Sequence, residues 1–116
     1  MITLNNVDAN MIANNLHPAE PTHPGEVIKD EIEYLGITQK QLAEGTGISY
    51  SVINEVLNGK RQVSMEYALL FEAALDIDAE TLVRMQMRYN RERALRDNAF
   101  LSHLNSVRKI AATVAL

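Results

Sequence analysis

Residues 38–58, TQKQLAEGTGISYSVINEVLN, followed by Gly59-Lys60-Arg61, decide how this chain folds. Thr38 is a good helix N-cap, and Gln41 three positions on completes a capping box, in which each side chain serves the other residue's backbone N–H. Leu42 and Ala43 give the first helix an apolar side, and Ala43 is small enough for a second helix to cross closely. Gly47 stands where the chain must reverse quickly, through a positive φ that costs glycine nothing sterically. Ser49 caps the second helix, and Ile53, Val56 and Leu57 form its buried stripe at i, i+3, i+4. Asn58-Gly59 ends it as a C-cap. Left on the outward face are Tyr50, Ser51, Asn54 and Glu55. Two short helices around a tight turn make the layout of a helix-turn-helix.

The remaining sequence is consistent with one small domain built around that motif. A chain of 116 residues is enough for one core plus an arm or tail. No apolar run approaches the roughly 20 residues needed to span a bilayer. The start, MITLNNVDANMIANN, lacks the basic and apolar blocks of a signal peptide. Absence of cysteine excludes a disulfide framework, a thiolate nucleophile and a cysteine zinc site. The expectation is a cytoplasmic protein without membrane attachment.

Charge argues mildly against nucleic acid, since the formal net charge is −4. Its distribution matters more. Residues 1–80 hold four Lys/Arg against thirteen Asp/Glu, a net of −9, whereas residues 81–116 hold seven against two, +5. Across residues 38–64, Lys40, Lys60 and Arg61 slightly outnumber Glu44 and Glu55. Modest binding by one copy would then be strengthened in a dimer by avidity.

Along the chain, residues 1–23 read as an N-terminal arm. Asp8 is placed to cap a short helix with Val7, Met11, Ile12 and Leu16 on one face, and prolines 18 and 21 force an extended stretch after it. The arm either packs on the domain or contacts a partner. Residues 24–97 read as the helix-turn-helix domain. Its first helix opens at Pro24 or Gly25 and runs to about Tyr34, with Ile28, Ile32 and Leu35 inward and Gly36 as the stop. Ser64 caps a helix with Ala68, Leu69, Phe71 and Leu75 as core, and Asp78 caps another to about Arg96 with Leu82, Met85 and Tyr89 inward. Residues 98–116 read as a C-terminal helix repeating Leu101, Leu104, Val107 and Ile110/Ala111. No stretch alternates as a strand does. The predicted class is all-α: a compact five-helix domain with an arm before it and one helix after it.

The spacing Gln39, Ala43, Gly47, Ile53, Val56 and Asn58-Gly59-Lys60 resembles the phage-repressor (Xre-like) helix-turn-helix family. The general match covers roughly residues 24 to 90; more narrowly, His23-Pro24-Gly25-Glu26, Gly36-Ile37-Thr38-Gln39 and Asn58-Gly59-Lys60-Arg61 resemble the HigA-type antitoxins. The resemblance implies a five-helix repressor-like fold whose second motif helix enters the DNA major groove. It places Ser49, Tyr50, Ser51 and Asn54 at the base edges; helical geometry independently gives Tyr50, Ser51 and Asn54 one exposed flank. Asn54 suits bidentate pairing with adenine, and Tyr50 offers a hydroxyl and a ring edge for a thymine methyl. Gln39 matches the family position that grips backbone phosphate, and Lys40, Lys60 and Arg61 supply neutralising charge. The expected partners are operator DNA, a second copy of the chain and a cognate mRNA-cleaving toxin. The toxin is implied by resemblance alone; the alternatives are a stand-alone Xre-like transcriptional regulator and a protein-interaction module that binds no DNA.

Other features carry less. Val107, Ile110, Ala111, Val114 and Leu116 form an apolar end that either pairs with a partner or folds back. Arg84, Arg88, Arg91, Arg93 and Arg96 form a basic run that is either a solvated face or a surface for the acidic first half of the chain, a second subunit or nucleic acid. Catalysis finds no support: His17, His23 and His103 lack metal-ligand spacing, and no HExxH, GxSxG or phosphate-binding glycine loop is present. No cofactor, metal or small-molecule substrate is expected.

Overall fold

The computed structural model describes residues 21–111, and within them six α-helices and no strand. They are α1 Pro24–Leu35, α2 Gln39–Thr46, α3 Tyr50–Leu57, α4 Met65–Leu75, α5 Ala79–Arg96 and α6 Asn98–Ser106. Helix starts fall where the sequence has a side chain able to hold a free N–H. Ser64 Oγ accepts from the Tyr67 N–H at 3.1 Å, and Asp78 Oδ2 accepts from the Thr81 N–H at 2.9 Å and its hydroxyl at 2.7 Å. The Thr81 side-chain and backbone bonds favour a charged Asp78 and hold its carboxyl below the usual range. Gly36, at φ 72°, ends α1 in a left-handed turn that brings the Ile37 N–H back to the Ile32 carbonyl at 2.8 Å.

Helices α1 to α4 and the start of α5 share one core. Ile28, Ile53, Val56, Ala68, Phe71 and Leu82 are wholly buried, and Leu42, Ala43, Ile48, Leu57, Val63 and Leu75 close around them. Each large side chain of this set stabilises the fold by roughly 1.5–3 kcal/mol through burial. At Gly25 the start of α1 lies against the end of α3. A Cβ there would sit 1.9 Å from the Val56 carbonyl oxygen, so only glycine permits the approach.

Several expectations need correction. Leu35 is half exposed, because the turn at Gly36 folds Ile37 back onto the core in its place. Leu69 is also half exposed: α4 is apolar nearly all round, and the face it buries is Ala68, Phe71 and Leu75. On α5, Met85 and Tyr89 are only half-buried, whereas Gln86, a polar residue, is buried on the same inward side as Leu82. Finally, α6 ends at Ser106, with Val107 extended and the backbone to Ile110 non-helical. The Ser106 hydroxyl donates to the His103 carbonyl at 2.6 Å, and no buried residue of α6 holds the helix further. Val107 and Ile110 are exposed. The arm helix expected near Asp8, with Val7, Met11, Ile12 and Leu16, and the end residues Val114 and Leu116 lie outside the described residues.

Candidate nucleic-acid interface

The site is built from the capping residues outward. Thr38 Oγ1 accepts from the Gln41 N–H at 3.0 Å while Gln41 Oε1 accepts from the Thr38 N–H at 2.9 Å, so the expected capping box is formed. It fixes the first turn of α2, where Gln39 is half-buried and Lys40 exposed. Gly47 reverses the chain at φ 77°, and the Thr46 hydroxyl ties the turn by donating to the Leu42 carbonyl and accepting from the Ile48 N–H. Ile48 then plugs into the core. Ser49 Oγ accepts from the Val52 N–H at 3.3 Å and starts α3.

One face of α3 is core, through Ile53, Val56 and Leu57, which leaves Tyr50 and Ser51 exposed and Asn54 and Glu55 half-buried. Two contacts link this face to its surroundings. Asn54 Nδ2 donates to Gln39 Oε1 at 3.1 Å, joining the two helices of the motif through their polar side chains. Asn58 Nδ2 donates to the Asn54 carbonyl at 2.9 Å and to Asn54 Oδ1 at 3.3 Å. The Asn54 amide is thereby oriented from both ends, yet keeps one N–H and a lone pair for a base edge.

Beyond α3, Gly59 takes φ 73° and closes the helix: its N–H reaches the Val56 carbonyl at 3.0 Å, and the Lys60 N–H reaches Glu55 at 2.8 Å. Lys60 projects into solvent. Arg61 does not stand alone, since its Nε meets Glu55 Oε1 at 2.7 Å and this carboxylate holds the guanidinium protonated still more firmly. Opposite charges flanking an Asn-Gly turn were the only available signal of that pair. The eight residues expected at DNA thus fall into three groups. Gln39, Ser49, Tyr50, Ser51 and Asn54 lie around the start of α3 and its exposed face, Lys60 and Arg61 stand past its end, and Lys40 is set apart on α2.

Residues not expected at the site support it from behind. His23 is buried, 4% exposed, and caps α1: its Nδ1 accepts from the Gly25 N–H at 2.9 Å. Its ring lies against Gly59, meets Tyr89 edge-on at 4.9 Å and is hydrogen-bonded to the Arg61 backbone. Burial pushes the imidazole below its ordinary range, outweighing the Glu26 carboxylate that favours the charged form. Buried Gln86 is 4% exposed; its Oε1 accepts from the Val63 N–H at 2.9 Å and its Nε2 donates to Asn90 at 3.0 Å. Asn90 Nδ2 continues the chain to Gln62 Oε1 at 3.1 Å. The linker after α3 is fixed to α5 by side-chain amides.

A capped helix, a glycine turn and a second helix presenting a polar face define a helix-turn-helix protein. Comparison with known proteins narrows the class. Residues 28–82 match the helix-turn-helix family. Virulence-associated protein A' of Dichelobacter nodosus is 32% identical over 71 residues, and virulence-associated protein I of the same organism 30% over 76. The matched stretches cover 60% and 65% of this chain, and 62% and 70% of those proteins, so the first relative is matched over less than two thirds of its length. An addiction module antidote protein of the HigA family from Coxiella burnetii superposes with a TM-score of 0.69 at 25% identity, over 78% of this chain and 98% of that one. A Pseudomonas aeruginosa protein crystallised with its operator DNA gives a TM-score of 0.63 at 26% identity, over 68% and 88%. The chain belongs to the helix-turn-helix family of these relatives, and its fold is similar to that of HigA-family antidote proteins.

Among the described residues no helix is long and apolar enough to cross a membrane, and no group of His, Asp and Glu is arranged to hold a metal ion.

Proposed function

We propose that this chain is a sequence-specific DNA-binding repressor and the antitoxin of a toxin–antitoxin pair. It acts by binding rather than catalysis, in the cytoplasm, as a homodimer that represses its own operon and neutralises an mRNA-cleaving toxin. The observation carrying the DNA half is the Gln39–Asn54 bond across the motif, which presets a base-reading amide on an otherwise solvent-facing polar surface. Ser49, Tyr50 and Ser51 complete the reading edge, and Gln39, Lys40, Lys60 and Arg61 serve phosphates. Residues 24–97 are the DNA-binding unit, and residues 98–116 the partner surface. The likeness to a protein crystallised on its operator and to HigA-family antidotes supports both halves of the reading. For a basic toxin, α1 offers complementary charge: Glu26, Asp30 and Glu33 line one hollow beside the end of α3.

Fluorescence anisotropy on the DNA upstream of the reading frame tests the repressor. Asn54→Ala is expected to lose about 1–3 kcal/mol of operator affinity and to relax selectivity at one base pair. Lys60→Ala should weaken operator and scrambled duplex alike. Equal affinity of the wild type and Asn54→Ala for both duplexes would sink the reading. Co-expression with the neighbouring short reading frame tests the antitoxin role, which fails if no complex forms and toxicity persists.

A further inference from the structure

The side-chain amides of Asn58, Asn54 and Gln39 form one chain of hydrogen bonds, and its direction is set at one end. Asn58 Nδ2 donates to the Asn54 backbone carbonyl at 2.9 Å, the same carbonyl that takes the Asn58 backbone N–H at 3.1 Å. A carbonyl only accepts, so the end of the Asn58 amide that turns back onto α3 must be nitrogen. That nitrogen also stands 3.3 Å from the Asn54 side chain, which must then present its oxygen. The Asn54 nitrogen is left facing Gln39, whose oxygen takes its N–H at 3.1 Å. Gln39 thereby keeps its Nε2 donors on the outer side of the motif.

An isolated amide on α3 would offer a base its donor and acceptor in either order, because its two ends are alike in size. With the order fixed from a backbone carbonyl, one arrangement alone meets the base edge. Gln39 likewise meets a phosphate with N–H groups rather than with an oxygen that would repel it. Turning the Asn58 amide round would reverse all three. Asn58 itself is exposed at φ −96°, so its backbone does not demand asparagine. Its side chain does the directing.

We propose that Asn58 is a positioning residue for DNA recognition: it sets which end of the Asn54 amide faces the base and, through Asn54, which end of Gln39 faces the phosphate. The inference rests on the DNA-binding reading above and adds to it a residue past the end of α3 that touches no base. The quantity to measure is the ratio of the full chain's affinities for the upstream duplex and for a scrambled one, by fluorescence anisotropy. Asn58→Ala should lower that ratio about fivefold, the low end of what a bidentate amide–base pair discriminates. Asn58→Asp has the same shape but can only accept, so Asn54 turns its nitrogen to the carboxylate and the ratio should fall further. In an Asn54→Ala background, Asn58→Ala should change the ratio no further, because the group it directs is gone.

Equal losses on both duplexes would make Asn58 a phosphate contact or a structural residue and overturn the proposal. So would a fivefold drop that persists without the Asn54 amide, which would make Asn58 a base reader in its own right. A ratio for Asn58→Asp above that for Asn58→Ala would count against the directed chain in the same way. A wild type that does not prefer the upstream duplex brings down the repressor reading and this inference together. A ratio that falls with Asn54→Ala but ignores Asn58→Ala removes this inference alone.

Discussion

Helices α3 and α6 begin alike and end differently. They are eight and nine residues long, each started by a side-chain oxygen that accepts an N–H three residues on, from Ser49 in one and Asp97 in the other. Helices this short are marginal in water without tertiary support. α3 receives it from Ile53, Val56 and Leu57, and its end is sealed by the left-handed turn at Gly59. α6 buries no residue and runs out at Val107 with no glycine to close it. Capping thus decides where a helix starts, and burial decides whether its orientation is fixed. The outward faces differ to match. That of α3 is polar around Ser51 and Asn54, while α6 and the residues after it expose Phe100, Leu104, Val107 and Ile110. A fixed polar face suits a groove of base edges, and an uncovered apolar one suits a protein surface.

The largest effect is expected from removing what fixes α3. Gly25→Ala places a methyl 1.9 Å from the Val56 carbonyl, against backbone that cannot swing aside. The expected loss is about 3 kcal/mol or more, read from the urea midpoint, with operator affinity falling alongside. Gly45→Ala is the matched control. Gly45 lies inside α2, and a Cβ there meets nothing within 4 Å, so stability should rise by about 0.5–1 kcal/mol. Equal midpoints for the two variants would mean that α1 does not anchor α3.

Much of this was legible in the sequence because capping is local. Thr38, Ser49, Ser64 and Asp78 each start a helix as expected, and Gly36 and Gly47 end one, since those preferences depend on a handful of neighbouring atoms. The stripe Ile53, Val56, Leu57 was equally plain. Long-range partners were not. Gln86 is buried because the Val63 N–H, twenty-three residues away, needs an acceptor inside the fold. Periodicity marks that side of α5 but cannot choose glutamine for it. Leu69 was misassigned because α4 is apolar all round and carries no phase to read. At the site, the exposed flank of α3 followed from geometry, but the pairing of Gln39 with Asn54 and of Arg61 with Glu55 required the turns to be in place.

A gentler break acts through His23, which joins α1, Gly59 and Tyr89. Its Nδ1 is an acceptor and its ring is buried, so the native state prefers the neutral imidazole. The native pKa lies below the ordinary imidazole value of 6.5, and the unfolded chain therefore binds more protons between the two. Stability is full above that ordinary value and is lost as pH falls through the lower native one. Glu26 opposes the effect without reversing it. Urea midpoints should drop as pH falls below about 6.5, and His23→Gln should flatten that part of the profile. An unchanged slope in the variant would assign the dependence to other groups and leave His23 a packing residue only.

The smallest effect is expected on α6. Leu104 is 41% exposed on a helix that buries nothing, so Leu104→Ala should cost no more than about 0.5 kcal/mol in dilute solution. Were α6 packed as α3 is, the same truncation would cost about 2–5 kcal/mol at any concentration. The two cases separate when protein concentration is varied. If α6 and the residues after it meet a second copy of the chain, Leu104→Ala leaves the dilute midpoint in place but lowers the dimer fraction in sedimentation, and removing residues 107–116 lowers it further. A large loss in the dilute sample would make α6 a second anchored helix, and the contrast with α3 would disappear. Unchanged stability together with an unchanged sedimentation profile would leave the apolar face to a different protein.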